Sequence, residues 1–243
     1  YLFEALNQES AEVVRQSFSG FEKLPDMLPL LLDRVWVAEA SKEAPDWAAC
    51  LVLFSKIIGF ATEHKFAWLL AGAARAKMVI SDEYLNNSDS ALEIGVAARE
   101  KLGEAHPVID LAEATVRYHR AEYPEFLTLF NRVDHTTPEA LLTLERIYGL
   151  RRAIIACSRT QSWEEILRYA ERGIELAKSL CDRNFADIAA IAFSTEKAWA
   201  KHEKGDRVAA SEHFETALKL AESFSEQSQP LFHALRLRLG AAL

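Results

Sequence analysis

The chain has 243 residues, half of them apolar, and 36 acidic against 28 basic side chains give it a formal charge of −8. That surplus of negative charge repels phosphate backbones and argues against direct nucleic-acid contact, and no apolar run approaches the roughly 20 residues that span a bilayer. Cys50, Cys157 and Cys181 are odd in number and far apart, with no Cys-x-x-Cys pair, so neither a disulfide framework nor a zinc site is expected and a cytoplasmic setting is.

Only nine Gly and seven Pro are present. Ala, Leu, Glu, Lys and Arg dominate and strand-like alternation is scarce, which predicts an all-α chain. In chain order the apolar periods predict helices over 2–19, 26–40, 45–63, 65–84, 90–103, 107–120, 123–133, 138–159, 163–180, 184–203, 207–225 and 230–243. Pro107, Pro124 and Pro138 each stand shortly before a new apolar period, where a missing N–H costs nothing. Thr137-Pro138-Glu139 reads as cap, first-turn Pro and first-turn acid. Ser90-Ala91-Leu92-Glu93 and Ser162-Trp163-Glu164-Glu165 have capping-box spacing, and Gly205 stops one helix before Asp206 caps the next. Short connections predict antiparallel neighbours. No linker divides the chain, which reads as one domain over 1–243. Tyr1 opens it without Met and apolar helical periods run into both ends, so a piece of a longer protein is expected.

Two stretches repeat one pattern. Residues 163–177 follow the turn Thr160-Gln161-Ser162, and residues 207–221 follow Lys204-Gly205-Asp206. The inward positions predicted for the first are Ile166, Ala170, Gly173 and Leu176 or Ala177. For the second they are Ala210, Phe214, Ala217 and Leu220 or Ala221, on the same spacing of four then three. Weaker copies stand at Ala91-Gly95-Ala98 and Phe126-Phe130-Val133. The intervals between Ala91, Phe126, Ile166 and Ala210 are 35, 40 and 44 residues. Self-similarity at such intervals marks a helical repeat array.

This arrangement resembles the tetratricopeptide repeat family. Ala210, Phe214 and Ala217 match the small–large–small positions of its second helix, with Gly205-Asp206 in the characteristic turn. Leu150, Ala153, Ile154 and Cys157 reproduce the spacing of its first helix, without the family's preferred Trp, Gly and Tyr. The best-matching repeats are 138–181 and 184–226. The resemblance implies an α-solenoid of antiparallel helix pairs in a right-handed superhelix, with first helices lining a concave groove that binds a protein, peptide or small ligand. Arrays of this kind occur in bacterial signal-transduction ATPases and transcriptional activators, so a sensor or interaction region of a larger cytoplasmic regulatory protein is expected. Alternatives are a small-molecule or peptide-pheromone sensing domain and an assembly scaffold that self-associates.

Arg146, Arg151, Arg152 and Arg159 all lie on the helix predicted over 138–159. With Leu150, Ala153, Ile154 and Cys157 facing inward, helical geometry points Tyr148, Arg151, Ile155 and Arg159 towards the groove. Guanidinium groups there suit carboxylates or phosphates. The competing reading pairs them with Glu165 or Glu171. The family's clamp for acidic C-termini sets Asn beside its basic residues, and Ile155 stands where one such Asn is expected. No phosphate-binding glycine loop is present. The seven His are scattered, with His202 and His213 flanking the Gly205 turn at no metal-ligand spacing. Glu164-Glu165 and Asp82-Glu83 read as solvated helix-start or turn acids. No catalytic residue, metal or cofactor is expected, and the chain is read as a non-enzyme.

Overall fold

The helices follow the predicted order closely. They are α1 (Met27–Ala40), α2 (Trp47–Glu63), α3 (Ala67–Val79), α4 (Ser88–Leu102), α5 (Pro107–His119), α6 (Tyr123–Thr136), α7 (Thr143–Arg159), α8 (Trp163–Ala177), α9 (Arg183–Glu203) and α10 (Arg207–Glu222). The computed structural model describes residues 27–136, 143–180 and 183–222, and no strand occurs among them. The helices expected over 2–19 and 230–243, the Thr137-Pro138-Glu139 start and Cys181 lie outside the described residues.

Local chemistry sets the helix starts. Asp46 accepts from the Ala49 N–H at 2.9 Å and Asp206 from the Ala209 N–H at 3.2 Å, each satisfying a first-turn donor. His106 Nδ1 faces the Val108 N–H at 3.4 Å, with Pro107 in the first turn of α5. Two expected capping boxes are corrected. α4 starts at Ser88, before Ser90, because the Asn87 side chain accepts from the Ser90 N–H at 3.0 Å. Ser162 does begin α8 but caps nothing with its side chain; its Oγ lies 2.9 Å from Thr160 Oγ1.

One turn recurs five times. Lys65, Asn86, Ala121, Gln161 and Gly205 are left-handed, with φ of +57°, +50°, +59°, +55° and +82°. Each is followed by one residue before the next helix begins. At four turns that residue's N–H returns to the carbonyl five positions back: Phe66 to Ala61 at 2.8 Å, Glu122 to Arg117 at 2.9 Å, Ser162 to Cys157 at 2.9 Å and Asp206 to Lys201 at 3.0 Å. This is the 6→1 closure of a helix C-terminus. At the fifth turn Asn87 reaches Ser81, six positions back, at 2.7 Å. The extra residue belongs to a π-helical turn, Ile80–Tyr84, that ends α3; such turns insert one residue into a helix.

The helix after each turn opens alike. Its first inward donors are Leu70, Ala91, Phe126, Ile166 and Ala210. These residues and those four further on (Ala74, Gly95, Phe130, Ala170 and Phe214) are all buried. The inward positions predicted on α4, α6, α8 and α10 are therefore found, with Ala177 and Ala221 closing the pattern on the last two.

The residues form two compact units, the first ending and the second beginning between Thr136 and Thr143. In the first, α3 packs against α1, α2, α4 and α5, and α6 packs on α5. The α3 sequence AWLLAGAARAKMV buries Leu69 to Ala74, Ala76 and Met78, because small residues let neighbours approach from several sides. A Cβ on Gly95 of α4 would stand 3.1 Å from Met78 Cε. In the second unit each of α7 to α10 packs on the next, and α7 also touches α9. Tyr169, Phe193 and Phe214 are its large buried rings.

Candidate functional site

The inward side of α7 is the one predicted: Ile147, Leu150, Ala153, Ile154 and Cys157 are at most 2 % exposed. Helical geometry then leaves Tyr148, Arg151, Ile155 and Arg159 on the outer side, and all four are exposed. Tyr148 and Ile155 keep 44 % and 41 % of their surface. Together they make a stripe three turns long in which aromatic and aliphatic groups alternate with guanidinium groups.

The four arginines of α7 separate by position. Arg146 and Arg152 are half-buried and engaged with neighbours. Arg146 lines a hollow of about 450 Å³ between α7 and α8, with Leu150, Glu171, Arg172, Glu175, Leu176 and Ser179. Arg151 and Arg159 make no side-chain hydrogen bond or ion pair among the described residues. The acids considered as their partners are occupied elsewhere: Glu165 pairs with Arg168, and Glu171 with Lys197 at 2.9 Å. The sequence cluster thus resolves into two anchored cations and two whose donors face solvent.

The chemistry of the other candidates is structural. Asp82, read as a solvated turn acid, is 7 % exposed. It sits in the π-helical turn, where Ser88 Oγ donates to its Oδ1 at 2.5 Å and His119 Nδ1 lies 2.6 Å from its Oδ2. A hydrolytic triad sets the imidazole between carboxylate and nucleophile. Here the carboxylate stands between hydroxyl and imidazole, so the Ser88 proton is engaged by the acid and not by the base. The group clasps the end of α3 to the start of α4 and the end of α5. Sequence reasoning missed it because the partners are 6 and 37 residues away and a π-helical turn leaves no periodic signal.

Cys157 is buried, and burial pushes its thiol up to about 11, with Glu165 adding to the shift and Arg168 opposing it. His202 stacks on Trp199 with ring centroids 5.4 Å apart, while burial and then Lys197 and Lys201 lower the pKa of His213. Among the described residues no group of three His, Cys, Asp or Glu could hold a metal ion, and no helix is long and apolar enough to cross a membrane. Trp47, Trp68 and Trp199, expected in the core, are only half-buried at its margin.

Comparison with protein-family models, with curated proteins and with solved structures returned no match to this chain.

Proposed function

We propose that this chain is a tetratricopeptide-like array of antiparallel helix pairs, coiled as a right-handed superhelix, that binds a protein or peptide partner without catalysing a reaction. It serves as the sensor or interaction region of a larger cytoplasmic regulatory protein. The recurring left-handed turn supports the repeat reading, since one device joins α2 to α3, α3 to α4, α5 to α6, α7 to α8 and α9 to α10. In this reading α5, α7 and α9 are the first helices of three pairs, while α3 has the turn on both sides.

The observation that carries the binding reading is the outer stripe of α7. Tyr148 and Ile155 supply apolar anchors, and Arg151 and Arg159 supply charge with no acid paired to it among the described residues. Anchors of this kind give affinity, while placed cations choose the partner. A peptide with carboxylates flanking an apolar side chain has the matching chemistry.

Selection from a displayed random-peptide library on the full chain tests this. Enriched peptides should be acidic with an apolar residue, and an Arg151→Ala, Arg159→Ala double variant should weaken them by roughly ten- to a hundredfold. Its stability should stay within about 0.5 kcal/mol of the parent, as both side chains are exposed. Unchanged peptide affinity in the double variant would remove α7 as the site.

A further inference from the structure

A second charged site lies in the first unit, where α2, α3 and α4 enclose a pocket of about 170 Å³. Its apolar wall is Ile58 of α2 with Ile94 and Ala98 of α4, and its polar groups are Ser55, Lys77 and Lys101. Lys77 Nζ donates to Ser55 Oγ at 2.9 Å. Neither lysine makes an ion pair among the described residues.

Lys56 and Lys65 also lack an ion pair among the described residues but do not line the pocket, whereas neighbouring arginines are paired. Arg99 takes Asp110 and Glu113, Arg117 takes Glu113 and Glu122, Arg120 takes Asp89 and Glu122, and Arg132 takes Asp110. In a chain with more acids than bases, two ammonium groups sharing a hollow without a carboxylate form a local reversal of charge. Burial, and after it the positive charge of Lys101, holds the Lys77 ammonium below its ordinary pKa. Desolvating a cation beside another is unfavourable until a counter-charge arrives.

We propose that the Ser55–Lys77–Lys101 pocket binds a small aliphatic anion, its carboxylate or phosphate head between the two ammonium groups and its tail on Ile58, Ile94 and Ala98. The two lysines supply charge-assisted hydrogen bonds, Ser55 positions Lys77 by accepting from its Nζ while donating its own proton to the Leu51 carbonyl at 2.7 Å, and the apolar wall distinguishes an amphiphilic anion from an inorganic one.

Calorimetric titration of the full chain with hexanoate, hexyl phosphate and hexanol tests this and separates the two head groups. At least one anion should saturate at one per chain, and hexanol should bind at least about tenfold more weakly. Lys77→Met and Lys101→Met should each weaken that anion at least about tenfold. The Lys77 titration midpoint, followed by NMR of its Cε, should rise when the anion is bound. Lys101 is exposed, so Lys101→Met decides the matter if Lys77→Met fails to fold. No saturation by either anion up to about 10 mM, equal binding of hexanol, or unchanged affinity in Lys101→Met would overturn the proposal. The α7 stripe belongs to the other unit, so this result and the peptide result are independent.

Discussion

Two buried glycines of the repeat should respond oppositely to alanine. Gly173 of α8 and Gly95 of α4 both occupy buried small positions on helices that follow a left-handed turn. Removing a helical glycine gains about 0.8–1 kcal/mol from backbone entropy alone. At Gly173 a Cβ would stand 2.5 Å from three atoms of the Phe193 ring, nearly an ångström short of ordinary contact. Phe193 is fully buried, and a closed-in ring has no flexible end to give way. Overpacking of this sort costs about 1–3 kcal/mol, and the severity of the overlap favours the upper part of that range. Gly173→Ala should therefore be less stable than the parent by about 1–2 kcal/mol. At Gly95 the nearest atom is Met78 Cε at 3.1 Å, the mobile tip of a thioether chain that readily adapts. Gly95→Ala should be neutral or more stable by up to about 0.5 kcal/mol.

Urea unfolding of the full chain followed by far-UV circular dichroism measures both. Phe193→Leu as a second background isolates the contact: if ring and Cβ are in conflict, Gly173→Ala should lose at least about 1 kcal/mol of its penalty there. Gly173→Ala as stable as the parent, or the same cost in both backgrounds, would refute the argument.

Asp110 is 4 % exposed and receives Arg99 at 2.8 Å and Arg132 at 2.8 Å; Asp110→Ala leaves the part-buried Arg99 with Glu113 alone and should cost about 2 kcal/mol, read by the same unfolding curve. His106 is buried against Trp68 and has its pKa lowered by burial, with Asp110 and Glu104 opposing. The unfolded chain then binds the extra proton first, so stability should fall as pH drops below about 6.5, and a His106→Asn variant should lose that component in melts between pH 5 and 8. Ala121 is held at φ +59° and Gly205 at +82°. A Cβ there costs about 1–2 kcal/mol, partly offset by the greater unfolded freedom of glycine, so Ala121→Gly should gain about 0.5–1 kcal/mol and Gly205→Ala lose a comparable amount in thermal unfolding.

Helix order and most boundaries were legible because they depend on local chemistry. The 3.6-residue apolar period, the first-turn prolines and the Asp206 cap each act within a few residues. The inward positions on α8 and α10 followed for the same reason, as one turn fixes the start of the helix and the spacing does the rest. The repeat in the turns was much less legible. Only one of these five turn positions is glycine and one is Asn, which tolerates the conformation, while Lys65, Ala121 and Gln161 carry side chains that disfavour it by local energetics. The turn is imposed by the 6→1 hydrogen bond and by burial of the residues that follow, information spread across two helices. The π-helical turn was invisible for a related reason, since the contacts Asp82 makes from it reach Ser88 and His119 on other helices.

The candidate sites divide along the same line. The α7 stripe could be read in advance because exposure on a helix is the complement of its apolar face. Which arginines are satisfied could not, because satisfaction depends on acids from other helices. Glu165 and Glu171 lie close enough in sequence to seem natural partners, yet Arg168 and Lys197 take them. The Lys77–Lys101 pocket lay further out of reach, as Ser55, Lys77 and Lys101 stand on three helices and share no spacing. A cation becomes informative when the folded chain leaves it without a counter-charge. Lys56, Lys65, Arg207 and Lys219 also lack an ion pair among the described residues; Arg151 and Arg159 differ by sharing one helix face with Tyr148 and Ile155, and Lys77 and Lys101 by lining one pocket.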